Sequence, residues 1–442
     1  MYKAPRGTSD ILPKEQAYWK YVEGKAASLC QLYGYQPLST PIFEDSQIFS
    51  RTVAGGTDIV DKEMYTFTDR GGQKLALRVE GTAPVCRAYL EHGLFNSPQP
   101  VRLYYFGPAF RYERPQAGRH RQHHQFGFEA LGDADPAIDA EVIEMAQQFF
   151  FSLGLSQFSI QLNSIGCKLC QPKYVEALKQ HYSGYVARLC PDCKARLARN
   201  PLRLLDCKKV SCQKIAEMAP KITNYLCPEC QAHFHSVQGY LELLGIPFQL
   251  NYRLVRGLDY YTRTVFEVQP QKEGAQSALG GGGRYDNLIE ELGGKPTPAV
   301  GFAAGIERLI LNLKRQKLTI PSLPAPVAFI AYLGKEAKLE AVKLSSQLHK
   351  GGIAAVQAIG DKSLKAQLRQ ANAFDASYTI IIGKAEIESR TVILRDMRSG
   401  EQKSIPQTEI VTILKQRSWV GGRGPSPPDT GSLPVARYKI PR

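Results

Sequence analysis

The sequence predicts an α+β main domain, in which helices flank an antiparallel sheet, followed by a small α/β domain. Three observations support this prediction. Residues 1–313 mix short strand patterns with amphipathic helix patterns. Residues 167–235 interrupt them with a basic segment that holds eight of the ten cysteines. Beyond residue 326 the order becomes strand, helix, strand, which is typical of a partly parallel sheet.

Composition and charge limit the class of protein. The 442 residues are 43% hydrophobic and 22% charged, as in a globular chain of two or three domains. No apolar run approaches the roughly 18 residues of a membrane span, and the N-terminus lacks an apolar signal core, which favours the cytoplasm. The net charge is +15, concentrated in residues 161–230 and 415–442. This favours a polyanionic partner such as nucleic acid, and a merely solubilising basic surface is the alternative.

The first elements follow from local signals. A helix is expected from Lys14 to about Tyr33, and residues 34–45, GYQPLSTPIFED, indicate a strand limited by its prolines. Residues 64–80 predict a hairpin around two glycines. Thr82 is expected to be the N-cap of the helix that follows.

Residues 104–132 predict a second hairpin with a long basic tip. Alternation places one set of polar residues on a single face of its two strands: Arg111, Glu113, Gln125, Gly127 and Glu129. This face is either a ligand-binding surface or the solvated side of a sheet, and the pattern alone does not decide. Further along, the predicted elements are a helix at 139–153, strands at 158–166 and 248–270, a glycine turn within 278–292, and a strand running into a helix at 299–313.

A composition change at 314–326 predicts a linker. After it, strands are expected at 327–333, 353–359, 378–383 and 391–396, with a helix whose buried stripe is Ala337, Ala341, Leu344 and Leu348, and another helix at 363–374. Residues 416–442 are rich in proline, glycine and serine, and we predict a disordered basic tail.

Four motifs in order carry a resemblance. GYQPLSTPIFED, FRYERP…RHRQHHQFGFE and GFAAGIERL resemble motifs 1, 2 and 3 of the class II aminoacyl-tRNA synthetases, and residues 254–267, LVRGLDYYTRTVFE, resemble the signature peptide of the histidyl-tRNA synthetase family. The resemblance spans about residues 1–415. It implies a catalytic domain at 1–325 with an insertion at 167–235, an anticodon-binding domain at 326–415, a homodimer built through motif 1, and ligation of histidine to its tRNA in the cytoplasm.

The implied chemistry activates histidine with ATP and Mg²⁺ to give a histidyl-adenylate and pyrophosphate. The adenylate then transfers histidine to tRNA and releases AMP. Charge develops on the α-phosphate, so fixed cations are required. The resemblance assigns Arg111 and Arg256 to the reacting centre, Arg308 and Arg119 to the outer phosphates, and Glu113 to adenine. The alternative for each arginine is an ordinary surface guanidinium.

An imidazole needs one hydrogen-bond acceptor and one donor. The resemblance assigns the acceptor to Glu129 and the second contact to Tyr261. The remaining histidine-binding residues are Glu80, Gly81, Thr82, Gln125 and Tyr260, beside the two arginines Arg111 and Arg256. Sheet packing is the alternative for the tyrosines. Adjacent positions of a regular strand face opposite ways, so only one tyrosine is expected to reach a given point in the pocket.

The basic loop 116–121 is expected at the acceptor stem, and three cations of the α/β domain at the anticodon: Lys362, Lys365 and Arg369. A solvated helix face is the alternative for these three. Two alternative functions are those of non-catalytic proteins. One is the paralogue that regulates ATP phosphoribosyltransferase, which lacks the anticodon module and the intact signature peptide. The other is a tRNA-sensing module, which is expected to have lost Arg111 or Arg256.

Eight cysteines of the insertion form four pairs: Cys167 with Cys170, Cys190 with Cys193, Cys207 with Cys212, and Cys227 with Cys230. Three of the pairs are CxxC. In a cytosolic, basic segment this spacing favours metal binding over disulfides, with one or two tetrahedral structural zinc sites. Reduced thiols without metal are the alternative, and spacing does not show which four cysteines group.

Overall fold

The computed structural model of the protein describes residues 2–52, 63–113, 120–271 and 278–420. The chain divides into two compact units, Met1–Pro321 and Ser322–Arg442. Each unit has its own sheet and its own hydrophobic core. The domain bounds at residues 325 and 415 stay predictions, and residues 421–442 of the predicted tail lie outside the described part of the chain.

The first unit contains eleven described strands. They are β1 (Gln36–Pro37), β2 (Phe43–Asp45), β3 (Thr66–Thr68), β4 (Lys74–Leu77), β5 (Val101–Phe110), β6 (Gln122–Leu131), β7 (Phe158–Ser164), β8 (Phe248–Leu250), β9 (Thr262–Pro270), β10 (Gly280–Arg284) and β11 (Ala299–Gly305). Its helices are α1 (Pro13–Leu32), α2 (Ser46–Thr52), α3 (Thr82–Glu91), α4 (Pro136–Ser152), α5 (Gln171–Ser183), α6 (Pro191–Arg199), α7 (Val210–Glu217), α8 (Pro228–Leu243), α9 (Leu288–Glu291) and α10 (Ile306–Arg315).

Eight of these strands form the main sheet, in the order β1-β5-β6-β11-β10-β9-β7-β8. All neighbours are antiparallel except the outer pairs β1–β5 and β7–β8. One face packs against α1, α4, α8 and α10 through a core that includes Phe126, Phe128 and Phe302. Since side chains alternate along β6, its other face presents Gln125, Gly127 and Glu129, as predicted. The α+β prediction is confirmed.

The proline-limited strand at 34–45 is two strands in the structure. β1 is parallel to β5 at the edge of the main sheet, and β2 joins the β3–β4 hairpin in a small sheet of order β2-β4-β3. Pro37 is accommodated at the edge because an edge strand does not need every backbone N–H. Pro41 lies between β1 and β2, where the chain leaves the main sheet.

The predicted glycine turn is wrong in its first part, because Gly280–Arg284 is the central strand β10. A Cβ on Gly282 would lie 1.9 Å from the carbonyl oxygen of Gly301 on the neighbouring β11. One on Gly281 would lie 2.7 Å from Nη1 of Arg256. The glycines therefore allow close approach of a strand and a guanidinium, although glycine runs usually indicate turns.

The insertion is helical, with short 3-10 turns between α5, α6, α7 and α8. α8 returns to the sheet and packs on α4, where the ring of His233 lies 3.2 Å from the carboxylate of Asp139. The other oxygen of Asp139 accepts from Nε of Arg284 at 2.7 Å, and both side chains are fully buried. This buried ion pair connects α4 to the end of β10.

The second unit has a five-stranded sheet of β12 (Ala328–Tyr332), β13 (Ala355–Gln357), β14 (Tyr378–Ile382), β15 (Thr391–Asp396) and β16 (Gln402–Pro406). Its helices are α11 (Lys335–Lys350), α12 (Leu364–Ala373), α13 (Lys384–Ser389) and α14 (Ile410–Val420). The order is β13-β12-β14-β15-β16, with the first three parallel, which confirms the partly parallel prediction. The stripe Ala337, Ala341, Leu344 and Leu348 is buried as expected.

α14 extends to Val420 and so includes the first residues of the predicted tail, which stays a prediction. The helix begins at Ile410, and its buried residues Ile410 and Leu414 pack into the core of the second unit. The helical backbone of α14 therefore continues past residue 416. Across the described ranges, no helix combines the length and the apolar character needed to cross a membrane.

Candidate active site and cysteine clusters

Glu80 lies at the start of α3 and caps it. Its carboxylate accepts from the backbone N–H of Thr82 at 2.6 Å and of Ala83 at 2.8 Å. The prediction that Thr82 caps this helix is wrong, because an anion already satisfies the free N–H groups. The Thr82 hydroxyl instead donates to Oε1 of Glu129 at 2.7 Å. The structure thus brings Glu80, Thr82 and Glu129 together.

Glu129 is the central carboxylate of the pocket and is 1% exposed. Two hydroxyls donate to it, Thr82 to Oε1 and Tyr285 to Oε2, the latter at 2.5 Å. Burial raises the pKa of Glu129 to about 8, and the two hydroxyls oppose that rise. A Cβ on Gly301 would lie 1.6 Å from Oε2, so glycine in β11 gives this carboxylate its space. Tyr285 was not identified from sequence.

Tyr260 and Tyr261 both belong to the pocket wall. Their rings lie 4.9 Å apart and both side chains are buried. The Tyr260 hydroxyl is 3.5 Å from the Glu80 carboxylate, and the Tyr261 ring is 5.9 Å from the Arg256 guanidinium. Both tyrosines line the pocket because they precede β9, which starts at Thr262, so the alternation of a regular strand does not apply to them.

Tyr105 of β5 was also not identified from sequence. A Cβ on Gly81 would lie 2.2 Å from its ring, and one on Gly127 would lie 2.4 Å from it. The lack of a side chain at Gly127 therefore makes room for the protein's own tyrosine. Gly81, predicted to bind histidine, lies against this ring.

Arg256 provides one cation of the pocket. Its Nη1 pairs with Oε1 of Glu267, which β9 supplies, and Gln269 donates to the other oxygen of Glu267 at 2.9 Å. The Nε atom of Arg256 is buried without a hydrogen-bond partner among the described residues. The same holds for Oε1 of Gln125. Buried polar atoms are normally paired, so these two atoms are candidates to bind a ligand.

Arg111 and Arg308 lie around one histidine. Arg111 donates from Nε to the carbonyl of Val79 at 3.0 Å, and Arg308 starts from the first turn of α10. Burial, together with the positive charges of Arg111 and Arg308, lowers the pKa of His123 to about 3. This histidine is neutral, so the region keeps two fixed cations without a third. Glu307 joins β6 to α10 by accepting from the backbone N–H of His124 at 3.0 Å.

The hairpin tip departs from the prediction. β5 ends at Phe110, so Arg111 and Glu113 lie beyond the strand and do not share its alternating face. Glu113 is half-buried, and its backbone carbonyl is 3.4 Å from Nε of Arg121. Arg121 stacks over the Tyr112 ring at 3.8 Å. Arg119 and most of the loop 116–121 lie outside the described residues.

The eight cysteines form two groups of four. We call Cys167, Cys170, Cys227 and Cys230 the first cysteine cluster, and Cys190, Cys193, Cys207 and Cys212 the second cysteine cluster. Within each cluster all sulfurs lie within 4.8 Å of one another. The sulfur of Cys167 lies 3.6 Å from that of Cys170 and 3.9 Å from that of Cys227, and the sulfurs of Cys190 and Cys207 are 3.9 Å apart. Zinc–sulfur bonds of about 2.3 Å in a tetrahedron separate sulfurs by roughly 3.8 Å, so the spacing fits one metal ion per cluster.

Backbone N–H groups also point at these sulfurs. Cys227 donates to Sγ of Cys170 at 3.1 Å, and Cys190 donates to Sγ of Cys212 at 3.4 Å. Such bonds favour a thiolate over a thiol. For Cys167, burial raises the thiol pKa, but N–H donors from Leu169 and Cys170 outweigh it and lower the pKa to about 7. Both clusters therefore have the sulfur chemistry of metal ligands.

Known proteins are similar to this chain along most of its length. A family model described as "Histidyl-tRNA synthetase" matches residues 7–182 and 196–309, and one described as "Anticodon binding domain" matches residues 327–417. The histidine–tRNA ligase of Dehalococcoides mccartyi is 57% identical over 417 residues, which cover 94% of this chain and 100% of the relative. That of Desulforudis audaxviator is 51% identical over 412 residues, 93% of this chain and 98% of the relative.

A solved structure is similar over the same range. The apo histidyl-tRNA synthetase of S. aureus is 38% identical, with a TM-score of 0.79. The match covers 94% of this chain and 100% of the bacterial protein's chain. Both units and the insertion therefore occur within a shared architecture.

Proposed function

The chain belongs to the histidyl-tRNA synthetase family and ligates histidine to tRNA, and we propose that the pocket around Glu129 and Arg256 carries out the reaction through a histidyl-adenylate. The observation that supports this most is the buried carboxylate Glu129, held by two hydroxyls beside unpaired atoms of Gln125 and Arg256. The rival regulatory paralogue is disfavoured, since the second unit matches an anticodon-binding model and the signature peptide is intact.

Histidine binds with its imidazole at Glu129. Both carboxylate oxygens already accept one hydroxyl, yet each has a second lone pair, so one remains for the ring N–H. Tyr261 contacts the other ring nitrogen and Tyr260 lines the pocket. Gln125, whose Oε1 atom is unpaired, holds the amino group together with Glu80 and Thr82. A pocket that uses hydrogen bonds rejects amino acids that lack the ring nitrogens by about four orders of magnitude.

ATP binds with its α-phosphate between Arg111 and Arg256. The histidine carboxylate attacks that phosphorus, the bond to pyrophosphate breaks, and the two guanidiniums stabilise the charge on the phosphate oxygens. Arg308 and Arg119 hold the outer phosphates, while Glu113 contacts adenine. His123 stays neutral between Arg111 and Arg308 and therefore adds no charge of its own.

The family uses ATP with Mg²⁺. The residues present fit such an ion, since Mg²⁺ in these sites takes mostly phosphate oxygens and one or two carboxylates, and the half-buried Glu267 supplies a carboxylate at the pocket arginine Arg256. When bound, Mg²⁺ neutralises phosphate charge. The residues of the chain orient the two substrates and hold the α-phosphate.

Each cysteine cluster binds one structural zinc ion. Four sulfurs within 4.8 Å and N–H donors to the sulfurs support this assignment. Cysteine–zinc sites with four thiolates have no open position, so the role is structural and the zinc takes no part in the adenylation.

The tRNA is contacted by both units. The acceptor end meets the hairpin loop 116–121, and the second unit binds the anticodon with Lys362, Lys365 and Arg369, all three exposed in the structure. The chain acts as a homodimer through the motif 1 region, in the cytoplasm. The tRNA contacts are supported by the match of residues 327–417 to an anticodon-binding model and by the positive charge of the chain.

The test is histidine-dependent exchange of pyrophosphate into ATP, followed by charging of tRNA. The wild-type chain should exchange with histidine and with no other amino acid. Arg256→Ala should reduce exchange by about two orders of magnitude or more, because it removes a cation at the reacting phosphate. Lys194→Ala, on the exposed side of α6, should match wild type. Wild-type protein that shows no exchange but binds a phosphoribosyltransferase would contradict the proposal.

A further inference from the structure

We propose that the second cysteine cluster, by binding its zinc ion, positions the histidine-binding loop of the active site. We call residues 254–261 the signature loop, since they hold Arg256, Tyr260 and Tyr261. The inference rests on the proposed function, because it assigns Arg203 and Asn200 as positioning residues for that same pocket. Neither residue belongs to the motifs that identify the pocket in the sequence.

Two hydrogen bonds connect the insertion to the signature loop. Nη1 of Arg203 donates to the backbone carbonyl of Arg256 at 3.2 Å. Nδ2 of Asn200 donates to the carboxylate of Asp259 at 3.0 Å. A side chain of any size on Gly257 would also approach Arg203, whose Nη1 is 3.5 Å from a Cβ built there. One side chain therefore fixes the backbone at the pocket arginine, and another fixes the loop three residues later.

Both donors lie between metal ligands in the chain. Asn200 and Arg203 belong to the stretch that leaves the second cysteine cluster at Cys193, at the start of α6, and returns to it at Cys207. The stretch is short, with one nine-residue helix and one 3-10 turn. Helices of this length are marginal in isolation, so the ligands at both ends determine whether the stretch keeps its shape.

Packing connects the same two parts. The cluster cysteines and Leu204 from the insertion share one hydrophobic core with Leu254, Val255 and the two tyrosines of the signature loop. Asp259 of the signature loop is buried beside the insertion. Burial raises its pKa, and the neighbouring Arg203 and Asn200 oppose that rise. The first cysteine cluster is placed differently. Next to it, Arg263 at the start of β9 donates its backbone N–H to the carbonyl of Gly166 and accepts from the backbone N–H of Ile165.

The expected consequence is that histidine affinity depends on the zinc ion of the second cysteine cluster. Without the metal, nothing links the four sulfurs, the stretch between Cys193 and Cys207 loosens, and the donors of Arg203 and Asn200 leave the loop. Arg256 and the tyrosines then lose their fixed positions. Because Arg256 also holds the α-phosphate in the proposed mechanism, the effect should appear in the KM for histidine and in kcat. The KM for ATP should change less, since Arg111, Arg119 and Arg308 hold its phosphates as well.

The experiment compares Arg203→Met, Cys193→Ser and the double variant in the full chain, by zinc analysis and by histidine-dependent pyrophosphate exchange. Arg203→Met should keep the wild-type zinc content and raise the KM for histidine about tenfold, since it removes one charged hydrogen bond. The kcat should fall as well, because Arg256 stabilises the charge on the α-phosphate, whereas the KM for ATP should change less than about twofold. Arg203→Lys, which keeps a donor, should recover part of the loss. Lys194→Ala, at an exposed position of α6, should match wild type.

Cys193→Ser should lose one zinc ion per chain and raise the KM for histidine at least as much as Arg203→Met. In the double variant the two effects should not add, because both break the same connection. Additive effects, or an Arg203→Met variant with an unchanged KM for histidine, would overturn the inference while leaving the proposed function intact. Wild-type chain without histidine-dependent exchange would contradict the proposed function, and the inference with it.

Discussion

At the scale of single residues, the proposed histidine contact needs an ionised Glu129, whereas the buried pocket disfavours the ionised carboxylate. Glu129 is almost completely buried, and its hydroxyl partners Thr82 and Tyr285 do not fully offset the burial. A ring N–H of bound histidine would supply a further donor to the carboxylate. The free protein therefore keeps a carboxylate whose charge is incompletely stabilised until histidine binds. Such a site lowers stability in exchange for activity.

This relation predicts a pH-dependent stability difference for Glu129→Gln. The folded-state pKa, about 8, lies above the ordinary value of 4.5. Between these two values the folded chain binds more protons than the unfolded chain, so stability falls as pH rises through this window. Glutamine does not titrate. The melting temperature of Glu129→Gln relative to wild type should therefore rise from pH 5 to pH 8, without histidine present.

The same variant should lose histidine-dependent exchange by about two orders of magnitude or more, because the amide is neither a charge nor a free acceptor of equal strength. Glu229→Gln, on the exposed start of α8, is the matched control and should show neither effect. A melting-temperature difference that stays constant with pH would contradict the assigned titration of Glu129.

Tyr285 gives a second prediction at this scale. Its hydroxyl donates to Glu129 at 2.5 Å, and both groups are buried. Tyr285→Phe should weaken histidine binding about tenfold, since it removes one charge-assisted hydrogen bond and raises the pKa of Glu129 further. The measurement is the KM for histidine in pyrophosphate exchange, with the KM for ATP as the internal control. Equal changes in both constants would indicate a general loss of folding instead.

At the scale of elements, most strands and helices could be predicted, and the exceptions have physical causes. The helices at 14–33 and 139–153 carry local signals in their periodicity and first turns, and the structure contains both as α1 and α4. The strand β10 could not be predicted, because its glycines are explained only by what lies across the sheet, Gly301 and Arg256. Local sequence carries no information about such a neighbour.

The same limit applies to the site. Glu129, Gln125 and Arg111 were found from the residues and the resemblance, because they occur within recognisable motifs. Tyr105 and Tyr285 were missed, since each reaches the pocket from an element whose own pattern is ordinary for a buried strand or its end. Tyr105 packs against Gly81 and Gly127, and Tyr285 donates to Glu129, so both roles depend on contacts with residues distant in the chain.

β10 offers a test of close strand approach. Gly282→Ala should lower the free energy of unfolding by about 3 kcal/mol, because the added methyl would meet a backbone carbonyl that cannot move without distorting β11. Gly239→Ala is the matched control. A Cβ there meets nothing within 4 Å, and the position is inside α8, so the change should stabilise by about 0.5–1 kcal/mol. Urea denaturation measures both. Equal stabilities of the two variants would contradict the close approach.

The insertion gives the element-scale prediction for metal. Purified chain should hold two zinc ions, Cys230→Ser should hold one, and Cys30→Ser should keep both, because Cys30 is buried in α1 away from the clusters. Atomic absorption measures the zinc. Removal of the zinc with a chelator should make eight additional thiols reactive, which a thiol reagent counts. A metal-free wild-type chain in which all ten thiols react would contradict zinc binding at both clusters.

At the scale of the whole molecule, the two units divide chemistry from recognition. The residues proposed for adenylation all lie in Met1–Pro321, whereas the residues proposed for the anticodon lie in Ser322–Arg442. Histidine-dependent pyrophosphate exchange requires no tRNA, so it reports on the first unit alone. Charging of tRNA reports on both. Comparing the two assays therefore shows whether Lys362, Lys365 and Arg369 bind tRNA or only face solvent.

The triple variant of Lys362, Lys365 and Arg369 to glutamate decides between these alternatives. If the three cations contact phosphates, the KM for tRNA should rise at least tenfold, and the salt dependence of binding should weaken by about one unit of slope for each lost contact. Pyrophosphate exchange should be unchanged. The control changes Lys335, Lys338 and Lys350 of α11 to glutamate, three exposed lysines on another helix of the same unit. Because it alters the net charge equally, a similar loss in the control would point to long-range attraction rather than contact at α12.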